Sequence, residues 1–481
     1  MRGVSYHGGV SAPTDPEATS HVLEAPGEAP VPPRWRGESL LEDPAPARFE
    51  WWWTWWLLWL AGTVVELWRV SGERGWQSLW GEDSGVFLSQ QLAIGGGRAL
   101  FTSYNGYGHL VPRLLTSLNV LWPLRDVPAL VCGEAAAVAS LCAVVIARAS
   151  RTLVPSWFLR VAMGATLLVL PITRVENLTN LANCQWYLLS ALVWVVLWRP
   201  RHWTGRILAV LVIAGAFGSS PLAALVLPVL LWRLWAWRDR FNAVLVGVAL
   251  LGGWYQWLLV ATINVHHYRQ ASAPTVPELL HLYGLRVVTG SFGGWTQTTT
   301  LYEQWHFGVS DRILLVAIVS FLALAALLRQ KRMAVAAGFF LISAVFFALT
   351  LDLRGFALSR QTVDSILSTG ARYSVVPLML LVGALVLTLQ SVVERLRWCL
   401  PFFVAAMVFV ASTWYPSEQA LSYRTPNVPW SVALTHAQGW CQGKPSRAVI
   451  NVPTTPQGWY ARVPCRALGV PSSGRSGRAN G

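Results

Sequence analysis

Charge is what this chain has least of. Asp, Glu, Lys and Arg make up 12% of its 481 residues, about half the usual share of a soluble domain, while apolar residues reach 54%. That balance excludes a water-soluble globule. Lysine is nearly missing, at Lys331 and Lys444 alone, so arginine carries the basic surplus, a bias that reflects base composition more than chemistry. There is no CxxC pair and no Cys/His zinc spacing. No Walker loop, dinucleotide-binding glycine fingerprint or GxSxG elbow stands in suitable context, which disfavours a nucleotide-driven transporter. No internal repeat is evident. Residues 1–50 are rich in Pro, Ala, Glu and Ser and have no apolar period. They lack the basic-then-apolar order of a cleaved signal peptide and read as a disordered cytoplasmic tail.

What is present is a series of separate apolar runs, most of roughly 16–22 residues, long enough to cross a bilayer as helices. Spans are expected at about 51–70, 127–148, 155–172, 181–198, 206–218, 221–236, 242–262, 312–329, 333–351, 373–391 and 398–414. A net charge of +14 would suggest nucleic acid in a soluble chain, but here the basic residues cluster at the ends of the runs. Every second connection is basic: Arg148 and Arg151; Arg199, Arg201 and Arg206; Arg233, Arg238 and Arg240; Arg329, Lys331 and Arg332; Arg395 and Arg397. Cytoplasmic loops are positive, so the N-terminus is expected inside and the C-terminal tail outside. This needs a hairpin at Gly218–Pro221, since one long kinked helix over 206–236 would put Arg199–Arg206 and Arg233–Arg240 on opposite sides. The 28 tryptophans, many near run ends, suit an aromatic belt. The expectation is an all-α polytopic membrane protein of about 11 transmembrane helices. A transmembrane domain over 51–415 precedes a small extracytoplasmic tail, 416–481, disordered from Ser472 to Gly481.

On the outer side, the stretch Trp80–Leu124 follows the first span directly and opens with adjacent acids, Glu82 and Asp83. Acids beside a span are costly unless they have a use. Neighbours point in different directions, so one is expected to face a cavity, and Asp83 is the choice, as a general base; the competing role is an N-cap by Asp83 or Ser84. A short amphipathic run, 84–94, follows. The run 109–122 has an apolar face of Leu110, Leu114, Leu118, Leu121 and Trp122 and a polar face with Arg113, Thr116 and Ser117; it is expected to lie in the outer interface.

A second polar group, Thr173–Asn180 with Asn183 and Gln185, crowds the outer ends of two spans. Its Arg174, Glu176 and Asn180 either line a polar sugar cavity or join helices by hydrogen bonds. Arg372 opens a span at its outer end, after Arg354 and Arg360; it holds a lipid phosphate or anchors at headgroups. The loop 263–311 carries His266, His267, Tyr268, Arg269, Tyr302, Glu303, Trp305 and His306, which suit sugar or headgroup contact or plain solvation. The tail has a strand-like Ala448–Val452 and a possible Cys441–Cys465 bridge, which fits an oxidising compartment.

Gly81-Glu82-Asp83 after the first span, two interfacial helices at 84–94 and 109–122, Tyr107–Arg113, Asn180–Trp186 and Arg372-Tyr373 with Pro377 together resemble the GT-C superfamily of membrane glycosyltransferases, and within it bacterial multispan members. The resemblance covers roughly 51–415. It implies a plasma-membrane enzyme that moves a sugar from a polyprenyl-phosphate donor to an extracytoplasmic glycan, lipid or protein acceptor, with inversion. It implies Asp83 or Glu82 as catalytic acid pair, and Arg372, Tyr373, Arg174, Glu176, Asn180, His109 and Arg113 around donor phosphate and sugar. A divalent cation beside Glu82 and Asp83 is permitted but not demanded. Membrane lipid and the two substrates are the expected partners; nucleic acid is not. The competing classes are a flippase for a lipid-linked glycan, which needs polar groups at the bilayer midplane, and a glycan polymerase or ligase using the 263–311 loop.

Overall fold

A computed structural model describes residues 52–71, 75–171, 174–261, 274–328, 330–354, 366–367, 370–396, 398, 400–418, 424 and 428–470. The N-terminal tail, Thr173, the His266–Arg269 group, Arg360, the side chain of Arg354 and the stretch Ser472–Gly481 lie outside what it describes.

Each apolar run is helical. The helices are α1 (Trp52–Ser71), α2 (a π-helical turn, Asp83–Leu88, running on into Ser89–Ile94), α3 (Gly96–Leu100), α4 (Leu110–Asn119), α5 (Val127–Ala149), α6 (Trp157–Val169), α7 (Arg174–Asn177), α8 (Cys184–Val195) and α9 (Trp203–Ser219). A 3-10 turn, Pro221–Val226, leads into α10 (Leu227–Trp237), followed by α11 (Arg240–Ala261), α12 (Val276–Leu282), α13 (Gly290–Trp305), α14 (Phe307–Leu328) and α15 (Lys331–Arg354). The 3-10 turn Ala371–Ser374 opens α16 (Val375–Arg395), then come α17 (Leu400–Glu418) and α18 (Trp430–Cys441). Strand is confined, among the described residues, to one antiparallel pair in the tail, β1 (Val449–Pro453) and β2 (Tyr460–Pro464). The class is therefore all-α.

Five of these helices, α5, α11, α14, α15 and α16 with its opening turn, are long and apolar enough to cross a bilayer. Four more apolar segments, α6, α8, α9 and Pro221–Trp237, are shorter. The chain is a membrane protein of the all-α class. Its burial pattern agrees, because large apolar side chains face outward along α9, α11 and α14, such as Leu211, Leu251 and Leu322. In water that pattern would be prohibitive; against lipid tails it costs nothing. The core forms where α8 packs on α5 and α9, α1 and α6 on α5, and α15 along α16.

The predicted break falls directly after α9. Ser220 is extended, Pro221 restarts the chain in a 3-10 turn, and α10 returns. Arg199, Arg201 and Arg206 then share one pocket with Asp239 and Arg240, as the hairpin requires. Arg233, fully buried in α10, donates from Nη1 to the carbonyls of Val195 (3.0 Å) and Val196 (2.9 Å). A cation thus closes the C-terminal end of α8, where the helix dipole favours one.

Helix α4 turns its polar face inward. Arg113, Thr116 and Asn119 are buried, while Leu114 and Leu118 are half exposed and Leu121 is 78% exposed. Arg113 Nη1 donates to Gln90 Oε1 (2.7 Å) and the Ala99 carbonyl (2.8 Å), and its guanidinium lies 5.2 Å from the Phe87 ring. This side chain ties α4 to α2 and α3.

Candidate functional site

The site is built around a short segment, 176–183, which runs from the end of α7 through an irregular turn into α8. It is held from several sides. Asp83 accepts the backbone N–H of Leu181 (3.1 Å) and of Ala182 (2.8 Å) on its two oxygens. Arg424, from the far end of the sequence, donates Nη2 to the carbonyls of Leu178 (3.0 Å) and Thr179 (3.3 Å) and stacks over Trp80. Tyr187 Oη donates to the Asn177 carbonyl (3.3 Å). Asn180 Nδ2 donates to the Glu176 carbonyl, as does Asn183 Nδ2, and Asn180 Oδ1 accepts the Asn183 N–H. These contacts maintain Thr179 at φ +49°, a left-handed conformation that a β-branched residue seldom adopts. Asn180 therefore shapes the turn through bonds within the segment itself.

Asp83 is 1% exposed. Burial lifts its pKa from 3.8 to about 7, against the pull of the Ala182 N–H, and Glu82 pushes it the same way as burial. It does not cap its own helix: the turn starting at Asp83 carries no side-chain cap. Its neighbour points elsewhere. Glu82 Oε1 lies 3.4 Å from Arg372 Nη1. So the two carboxylates diverge, as neighbours must, but it is Glu82, rather than Asp83, that meets the second half of the site.

That half begins with Gly370, at φ +66°, where a Cβ would lie 2.5 Å from the Tyr373 ring. Both the backbone conformation and the space demand glycine. The turn lets two N–H groups converge on one carboxylate, with Gly370 N donating to Glu176 Oε1 and Arg372 N to Glu176 Oε2, each at 3.2 Å. Glu176 so caps the N-terminal end of α16, where negative charge is favoured, and its Oε2 is 3.9 Å from Arg372 Nε. The Arg372 guanidinium is thereby placed between Glu82 and Glu176, over the ring of Tyr373, which itself meets Trp186 edge to face.

An aromatic hairpin forms a further side. Asn105 and Gly106 both have positive φ, and Tyr104 and Tyr107 pair across them, the arrangement an Asn-Gly turn favours. Burial and then the charge of Glu82 raise the Tyr104 phenol to about 12, so it stays a hydrogen-bond donor. Tyr107 stacks on His109 with ring centres 4.3 Å apart, and its oxygen accepts from Gln185 Nε2 (3.1 Å).

The structure thus brings together Glu82, Glu176, Arg372 and Tyr373, with Tyr104 beside them. Asp83 and Asn180 lie beneath as braces, His109 is buried behind Tyr107, and Arg113 faces α2 and α3. Arg174 opens α7, half buried. Besides Tyr104, for which the Asn-Gly turn was the available signal, sequence reasoning missed three residues. Arg286, fully buried, donates Nε to the Ile366 carbonyl (2.6 Å) and is within electrostatic reach of Glu176 and Tyr373; a lone Arg in the apolar Leu-Arg-Val-Val was the available signal. Arg424 carried none. Trp459 lies against Gly81 and Gly85, also unannounced.

The C-terminal tail completes this region. Cys441 and Cys465 are bonded, 24 residues apart. Thr455 N donates to the Leu79 carbonyl (3.0 Å), Arg462 N donates to Ser89 Oγ (2.8 Å), and Ser84 Oγ is 2.9 Å from Thr454 Oγ1. Leu79, Leu88, Val127, Val131 and Leu181 share one apolar cluster with Trp430, Leu434, Val452 and Val463.

For a divalent cation the donor set does not fit. Asp83 spends both oxygens on backbone N–H groups, Glu82 faces a guanidinium, and among the described residues no three His, Cys, Asp or Glu side chains gather. The site belongs to a helical membrane protein and combines carboxylates, a guanidinium and aromatic rings. No family model matches the chain, and neither does any curated protein or solved structure.

Proposed function

We propose that the chain is a multi-pass glycosyltransferase that takes a sugar from a polyprenyl-phosphate donor. The observation that carries this reading is the Arg372 guanidinium, set between Glu82 and Glu176 at the end of an apolar helix. A planar guanidinium binds phosphate in a bidentate manner and stays charged. In this scheme the donor phosphate takes the place of Glu82 on Arg372, and Glu82, released, accepts the proton of the acceptor hydroxyl. The acceptor oxygen bonds to the anomeric carbon as the bond from that carbon to the phosphate oxygen breaks. The phosphate leaves with the electron pair, its charge balanced by Arg372. Tyr104 and Tyr107 offer a phenol edge and ring face for a sugar. The attack comes from the face opposite the leaving group, so the anomeric centre inverts.

The same reading places eleven spans in a plasma membrane, with α4 lying in the outer interface, the N-terminus in the cytoplasm, and the site and tail outside. A flippase fits less well. The main acidic residues inside the expected spans, Glu66 and Glu134, lie toward the same helix ends as the site: Glu66 pairs with Arg69 near the end of α1, and Glu134 accepts from Asn119 of α4.

Purified protein in nanodiscs, given radiolabelled polyprenyl-phosphate sugars, is expected to release polyprenyl phosphate. Glu82→Gln should slow release by about 10²–10⁴-fold and Arg372→Gln by about 10²–10³-fold, with melting temperatures close to that of the parent. Arg372→Gln should also weaken binding of sugar-free polyprenyl phosphate. Full turnover and full binding by Arg372→Gln would refute the assignment.

A further inference from the structure

We infer that the chain carries a second phosphate-binding site, for the headgroup of an anionic phospholipid, in the basic pocket where α8, α9, α10 and α11 end. The pocket holds about 600 Å³ and is lined by Arg199, Pro200, Arg201, Arg206, Asp239, Arg240 and Phe241. It lies at the opposite end of α8 from segment 176–183, a helix of 12 residues and so roughly 18 Å away along its axis. The inference does not depend on the transferase reading.

The charge here is unbalanced. Four guanidinium-bearing residues meet one carboxylate. That carboxylate is engaged already: Asp239 accepts the backbone N–H (2.8 Å) and side-chain amide (2.9 Å) of Asn242, and lies 3.7 Å from Arg199. Span-end arginines usually splay into water. Here aromatic rings fix two of them, with Arg199 over Trp237 at 5.1 Å and Arg206 over Phe241 at 5.5 Å. Stacking covers the flat faces of a guanidinium, whereas phosphate binds its in-plane N–H edge. Arg206 is fixed further by donating Nε to the Pro200 carbonyl (3.4 Å). Helix α9 adds a favourable dipole, since it starts beside the pocket and its preceding residue, His202, supplies no side-chain cap.

The surroundings select a lipid over a soluble phosphate. Trp203 and Trp235, beside the pocket in sequence, are 71% and 52% exposed, as tryptophans at headgroup depth are. Ile207, next to Arg206, and Val244, one turn on from Arg240, are also exposed and offer apolar surface to acyl chains. Basic pockets between spans take anionic headgroups for these reasons.

The test is native mass spectrometry and melting of the purified full chain with phosphatidylglycerol, cardiolipin or phosphatidylcholine. The parent should retain the two anionic lipids at least about tenfold more tightly than phosphatidylcholine and melt at higher temperature with them. The triple variant Arg201→Gln, Arg206→Gln, Arg240→Gln should lose the preference, and the single variants Arg201→Gln and Arg240→Gln, at exposed heads, should each weaken it. A control triple, Arg151→Gln, Lys331→Gln, Arg395→Gln, should keep it. Equal loss in the control would reduce the effect to diffuse surface charge and overturn the site. Glycerol phosphate displacing the lipid at equal concentration would overturn the lipid assignment in favour of a soluble phosphate. Equal retention of all three lipids by the parent would overturn both.

Discussion

At the scale of single residues, the site is decided by which way two adjacent carboxylates turn. Glu82 and Asp83 are equivalent on paper. In the fold one is a buried brace and the other faces a guanidinium. Alternation of neighbours predicts that they diverge. It does not predict the assignment, because the partners of Asp83 are backbone N–H groups at 181 and 182, and a backbone donor leaves no mark in a sequence. The pKa of Asp83 makes the bracing role testable. Its folded value of about 7 exceeds the ordinary 3.8, so the folded state binds the proton more tightly. The associated stability is complete below about pH 4 and is lost as pH rises through 7. Melting temperature should therefore climb as pH falls from 8 to 5, by an amount on the order of a few kcal/mol in free energy. Asp83→Asn should melt lower throughout, because its amide nitrogen faces a backbone N–H, and the pH slope should flatten. An unchanged slope in that variant would show that Asp83 does not titrate in this range.

At the scale of elements, the helices were legible and their contacts were not. Each of the eleven apolar runs became a helix, because a lipid-facing helix must be apolar over its whole length and that requirement is written residue by residue. The Gly218–Pro221 break was legible for the same local reason. The docking of the tail was not, since β2 and Thr454 meet α2 across more than 350 residues of chain. Glycine reveals how closely they meet. A Cβ at Gly81 would come within 2.6 Å of the Trp459 ring, whereas one at Gly97 would meet nothing within 4 Å. Gly81→Ala should therefore push Trp459 away and speed limited proteolysis of 428–470, while Gly97→Ala should leave the digestion pattern unchanged. Reduction of the Cys441–Cys465 bond, which closes a 24-residue separation, should cost the tail about 3 kcal/mol and speed the same cleavage. Equal resistance before and after reduction would show that the apolar cluster alone holds the tail.

At the scale of the molecule, the two basic stretches around α9 and α10 share one pocket, while the tail shares a cluster with the acid-bearing turn. These are the two ends of α8, and the proposed orientation places them on opposite sides of the bilayer. Cysteines introduced at the exposed positions Arg201 and Gln457 should react differently with an impermeant maleimide in intact cells: Gln457→Cys at once, Arg201→Cys only after permeabilisation. Labelling of both from outside would reverse the topology. The sharing of Leu79, Leu88 and Leu181 with Trp430 and Val463 has a consequence for biogenesis. The acid-bearing turn leaves the ribosome well before the residues that pack on it. A chain halted before Trp430 would hold its apolar helices and still lack that cover over Leu79, Leu88 and Leu181, so the acid-bearing turn acquires its packing only after the helices are made.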